Sequence, residues 1–88
     1  MDIDPAQLTQ VVNRLRRAEG QLAAVRRAVQ EGRDCEQVII QLAAVSRALD
    51  KAGFAIIASS MSQCVTRTDD DQRALDVAKL EKLFLSLA

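Results

Sequence analysis

Histidine is absent from this 88-residue chain, as are tryptophan and tyrosine. Without an imidazole there is no HExxH metal site, no Cys2His2 finger and no Ser-His-Asp or Cys-His catalysis. Proline occurs once, at Pro5, so nothing after it obliges a helix to break. The three glycines, Gly20, Gly32 and Gly53, lie too far apart to build a phosphate-cradling loop. No run of 18 apolar residues exists to cross a membrane. The acidic start Met1-Asp2-Ile3-Asp4-Pro5 lacks the apolar stretch of a signal peptide. These absences predict a single cytoplasmic domain over residues 1–88, in a compartment that keeps thiols reduced. Net charge is missing too: 12 basic residues balance 12 acidic ones, and a neutral total does not itself point to nucleic acid.

What is present is aliphatic. Hydrophobic residues make up 49% of the chain, and only Phe54 and Phe84 are aromatic. Alanine, leucine, valine and isoleucine suit helix-on-helix packing. So short a chain buries this much apolar surface most readily by oligomerising.

The periodicity is helical throughout. Asp4-Pro5 reads as an N-cap and first turn. Leu8, Val11, Leu15, Ala18, Leu22, Val25 and Val29 then recur in alternating steps of three and four, an a/d stripe. Gly32 reads as the stop. Asp34, with Gln37 three residues on, opens a second helix by a capping-box pattern. Its apolar positions, Val38, Ile39, Leu42, Val45, Leu49, Ala52, Ile56 and Met61, are joined by Ile40, Phe54, Ala55 and Ile57. A helix apolar around most of its circumference is buried on several sides, and in so small a protein a partner chain must cover part of it. Thr68 or Asp69 caps a third helix, whose apolar stripe is Leu75, Ala78 (or Val77), Leu83 and Leu87, with Leu80 and Phe84 alongside. The expected fold is all-α: three helices, the first two paired as an antiparallel hairpin.

The two cysteines, Cys35 and Cys64, fall at opposite ends of the second helix. At about 1.5 Å per residue, 29 residues separate them by roughly 43 Å, whereas a disulfide needs Cα atoms within about 7 Å. Two such helices packed antiparallel would instead bring Cys35 of one chain to Cys64 of another. The positive pole at a helix start favours an anionic sulfur at Cys35, although Asp34 and Glu36 oppose it. Cys35 is the better attacking thiolate and Cys64 the resolving partner. A two-thiolate metal site is the alternative, and burial as ordinary small hydrophobes is the plain one. Ser60 and Met61, one turn before Cys64, are candidate neighbours of the site. A hydroxyl is a poor ligand for soft metals, while Met61 could offer Cu(I) a thioether. Nothing supplies the base or oxyanion donors a thiol enzyme needs, so no catalytic activity is expected.

Charge is unevenly spread. Between Val11 and Gly32, five arginines (Arg14, Arg16, Arg17, Arg26, Arg27) face two glutamates. Arg14 and Arg17 share a face, as do Arg47 and Lys51 on the second helix. Such faces either grip phosphates or are simply solvated. No helix-turn-helix pattern accompanies them.

The stretches Arg14-Leu15-Arg16-Arg17-Ala18-Glu19-Gly20-Gln21, Asp34-Cys35-Glu36, Gln41-Leu42-Ala43-Ala44-Val45 and Ala48-Leu49-Asp50-Lys51-Ala52-Gly53-Phe54 together resemble the CsoR/RcnR family of bacterial transcriptional repressors. The resemblance spans nearly the whole chain. It implies an antiparallel helical dimer forming a four-helix bundle, two of which pair into a flat homotetramer. It also implies operator DNA as partner, bound without a helix-turn-helix and released when an effector binds. Copper sensors of the family use a Cys, with a His and a Cys from the neighbouring subunit; Cys35 and Cys64 match the cysteines, but Ser60 stands at the histidine position. Nickel and cobalt sensors need several histidines. Formaldehyde sensors carry Pro after the initiator Met plus a His, and Asp2 stands here. A Cys-Cys pair without the His resembles the persulfide-sensing CstR-type branch, which implies persulfides as effector and no resident cofactor, with Cu(I) as the alternative. By the same resemblance Arg14 and Lys51 are operator-binding positions, and Arg16, Arg17 and Arg47 are further candidates.

Overall fold

A computed structural model describes residues 2–66 and 69–88. A 3-10 turn at Pro5–Gln7 precedes three helices: α1 (Thr9–Gln30), α2 (Cys35–Cys64) and α3 (Asp70–Leu87). α1 and α2 form a hairpin, and α3 folds back on the second half of α2.

The caps follow the sequence closely, with one correction. The Asp4 carboxylate accepts from Ala6 N at 3.1 Å, but it caps the separate 3-10 turn; α1 starts four residues later, behind Leu8. Pro5 pre-sets only the first φ angle, and the chain re-aims before α1 begins. That turn is pinned across the hairpin: the Gln7 side-chain oxygen accepts from Ser59 Oγ and Gln63 Nε2, each at 3.3 Å. Gly32 stops α1 with φ 68°, while its N–H reaches Val29 O and that of Arg33 reaches Ala28 O. These two bonds and a left-handed glycine make a Schellman motif. Asp34 caps α2 by accepting from Gln37 N at 3.2 Å. Asp69 caps α3 by accepting from Asp71 N and Gln72 N. The other candidate cap, Thr68, lies outside the described residues.

The hairpin seam buries Leu8 just before α1, Val11, Ala18 and Val25 of α1, and Val45 and Ala52 of α2. Leu8, Val11 and Ala52 form one core cluster, with Leu15, Ala55 and Ile56 packed against them. Val38 and Met61 are half-buried, and the other stripe residues are open: Val29 is 63% exposed, Ile39 57% and Leu49 45%, and Leu22 and Leu42 are also exposed. The single broad apolar face expected of α2 is therefore two stripes. Val38, Val45 and Ala52 follow the seam, while Ile39, Leu42 and Leu49 face away from it.

α3 departs further from expectation. Its buried positions are Asp76 and Leu80, whereas Leu75 and Leu83 point outward and Ala78 is exposed. The helix docks by Leu80, by the Phe84 ring 5.1 Å from that of Phe54, and by Leu87 over Gly53. A Cβ on Gly53 would lie 2.7 Å from Leu87 Cδ1, so glycine lets the end of α3 lie close. Asp76 is 2% exposed and accepts from Gln72 Nε2 at 2.9 Å. A buried carboxylate with a hydrogen-bond donor is tolerable; reading only apolar residues hides it.

Candidate effector site and nucleic-acid interface

α2 runs unbroken with Cys35 as its first residue and Cys64 as its last. Both thiols are free. The unbroken 30-residue helix keeps the two cysteines at its opposite ends, so they cannot bridge within one chain. The two surroundings differ. Cys35 is exposed, beside the capping Asp34 and Glu36. Cys64 is 3% exposed, and its Sγ donates to the Arg73 carbonyl oxygen on α3 at 3.5 Å. Arg73 also pairs with Asp70 through Nη2 at 2.9 Å.

Ser60 is buried one turn before Cys64, and Met61 is half-buried. Among the described residues, no group of three or more His, Cys, Asp or Glu side chains is placed to hold a metal ion. One turn before Cys64 on the same face stand Ser60, whose hydroxyl is a hard donor that does not suit Cu(I), and Met61, whose thioether is a soft one. The donor set thus lacks the imidazole of a Cys-His-Cys copper centre.

The basic residues converge. Arg14 and Arg17 of α1 and Arg47 and Lys51 of α2 line one open groove of about 330 Å³, together with Ala44 and Ala48. Arg16 is exposed but lies outside this groove. Gln21 lines it too and was missed in the sequence; its position four beyond Arg17 and seven beyond Arg14 was the available signal. Also missed was the Arg73 carbonyl at Cys64, because backbone acceptors leave no trace in side-chain patterning.

A three-helix chain with a thiol at each end of its central helix and a cationic groove across its hairpin matches one known class. The profile of the metal-sensitive transcriptional repressors matches residues 7–86, and the chain belongs to that family, which comprises transcriptional regulators rather than enzymes. It is 39% identical over 54 residues to the copper-sensing transcriptional repressor RicR of Mycobacterium tuberculosis, covering 61% of this chain and 56% of that protein. It is 28% identical over 69 residues to the copper-sensing transcriptional repressor CsoR of Bacillus subtilis, covering 75% of this chain and 68% of that one. Among solved structures, the nickel-responsive transcriptional regulator InrS superposes with a TM-score of 0.76 at 34% identity, covering 100% of this chain and 98% of that one. A variant of the formaldehyde-responsive regulator FrmR from Salmonella enterica serovar Typhimurium gives 0.84 at 26% identity, over 97% and 98%. No helix among the described residues is long and apolar enough to cross a membrane.

Proposed function

We propose that this protein is a cytoplasmic repressor that binds operator DNA and lets go when reactive sulfur links Cys35 of one subunit to Cys64 of its neighbour. The observation that carries this reading is the placement of the two thiols at the first and last residues of α2. An antiparallel copy of α2, with its two-fold axis between Leu49 and Asp50, aligns each Cys35 with the other chain's Cys64. The same pairing covers the open stripe of Ile39, Leu42 and Leu49. A dimer, or a dimer of dimers, is the functional unit.

The chemistry balances with a low-molecular-weight persulfide as oxidant. Cys35 thiolate takes the outer sulfur, giving a Cys35 persulfide and releasing the carrier thiol. The Cys64 sulfur then attacks the Cys35 sulfur. An S–S bond forms between subunits, the old S–S bond breaks, and the displaced sulfur leaves with the thiol proton as hydrogen sulfide. When both cysteines carry an added sulfur, the same step leaves a trisulfide. Two thiols are oxidised and one sulfane sulfur is reduced. The groove lined by Arg14, Arg17, Arg47 and Lys51 grips backbone phosphates, and bridging changes the spacing of the grooves across the assembly.

Incubating the reduced protein with sodium tetrasulfide tests this. Intact mass should show covalent dimers, joined directly or through a whole added sulfur, and a duplex selected by the protein from a random pool should be released. Cys35→Ser and Cys64→Ser should each abolish the link while leaving DNA affinity unchanged. Monomers alone, with unaltered affinity, reject the reading.

Cu(I) is the second reading, favoured by the copper-sensing names of RicR and CsoR. Cys35 and Cys64 of two subunits would supply thiolates, with Met61 as a thioether. Titration against a Cu(I) chelator, read by DNA release, separates the two effectors.

A further inference from the structure

Cys64 is the less accessible of the two sulfurs, and what covers it is α3. The contacts run antiparallel along the second half of α2: Arg73 carbonyl on Cys64 Sγ, Phe84 on Phe54, Leu87 on Gly53. The first half of α2, where Cys35 stands, carries no such cover. Counted in helical steps of four and three, Cys35, Ile39, Leu42, Ser46, Leu49, Gly53, Ile56 and Ser60 form one stripe, and Cys64 continues it one turn on. One thiol lies at the open end of this stripe and the other under a helix.

We infer that α3 is a displaceable cover that holds Cys64 out of reach, making it the thiol that reacts second, and that bridging Cys64 releases the first turn of α3. Leu80 is the positioning residue, because it is the one apolar side chain of α3 that is fully buried. This inference rests on the sulfur-sensing reading for its purpose, though not for its geometry.

The cover is built to open. A docked helix with few buried apolar contacts belongs to the low-stability end of a fold. Leu75, Leu83 and Leu85 of α3 face outward, and its buried face carries the polar Asp76. Cys64 ties itself to the docked helix by donating a hydrogen bond to the Arg73 carbonyl. A sulfur joined to Cys35 has lost that hydrogen. The hydrogen bond then has no donor, and the attached chain needs the space α3 occupies. Selectivity follows as well: a small sulfur species passes a partly opened helix, while a bulky electrophile stops at Cys35.

Labelling of the full-length reduced protein with N-ethylmaleimide, with each cysteine quantified by peptide mass, tests the cover without any sulfur donor. Cys64 should react at least ~10-fold more slowly than Cys35, the difference expected of a site that must open locally first. Leu80→Ala should raise the Cys64 rate ~10-fold with Cys35 within about twofold, and Leu80→Met should keep the protection. Should Leu80→Ala lose its helical circular dichroism, Phe84→Ala carries the same expectation. Equal rates in the unaltered protein, or an unchanged Cys64 rate in the folded variant, overturn the inference. A protected Cys64 that yields no covalent dimer with tetrasulfide rejects the sulfur-sensing reading and leaves the cover standing. Covalent dimers from a Cys64 already as reactive as Cys35 do the reverse.

Discussion

At Gly32 one backbone angle decides how the hairpin turns. Its φ of 68° lies in the left-handed region, and an added Cβ would meet nothing within 4 Å. The cost of Gly32→Ala is therefore backbone strain alone, about 1 kcal/mol, visible as a lower midpoint in urea denaturation. Gly53 is the opposite case: helical backbone, but a neighbour in the way, and that neighbour is the end of a flexible leucine. Gly32 is legible in the sequence because a glycine after a helical stripe has a conformational reason. Gly53 is not, since its reason lies on a helix 34 positions away in the chain. The cysteines divide the same way. Their separation is legible from spacing, whereas the burial of Cys64 depends on where α3 folds back.

Helix boundaries are legible where a cap and a period agree. α2 is the clearest case, from the Asp34 cap to Cys64 without interruption. α3 is the least legible, because its docking face mixes an aspartate and a leucine with aromatic edges and so has no clean apolar stripe. At this scale the basic groove makes a quantitative prediction. Arg14→Ala and Lys51→Ala should each weaken DNA binding across all sequences and lower the slope of log K against log salt by about 1, as removal of one phosphate contact does. Arg16→Ala, outside the groove, should change that slope less. Filter binding at several salt concentrations checks both. Equal slopes for all three variants would exclude the groove as the DNA-facing surface.

The whole protomer measures 55 × 25 × 14 Å. A helix with its side chains is about 10–12 Å across, so the molecule is close to one helix thick. Such a sheet of helices has a seam rather than an enclosed interior, and it leaves Ile39, Leu42 and Leu49 in the open. Leu49→Glu places a charge beside the proposed two-fold axis and should convert the assembly to monomers in sedimentation velocity. The melting temperature of the unaltered protein should rise with its concentration, while that of the variant should not. Length and apolar fraction alone point to oligomerisation; which stripe serves the hairpin and which the partner is hidden, since both share one period.

A body only 14 Å thin has little inside to insulate from its surroundings. On the proposed two-fold pairing, dilution uncovers Ile39, Leu42 and Leu49 and parts the paired basic grooves at once, so a freed chain loses its shelter from proteases together with its grip on DNA. The same pairing ties repression to copy number: lowering synthesis relieves it with no inducer present, as steeply as the proposed assembly dissociates.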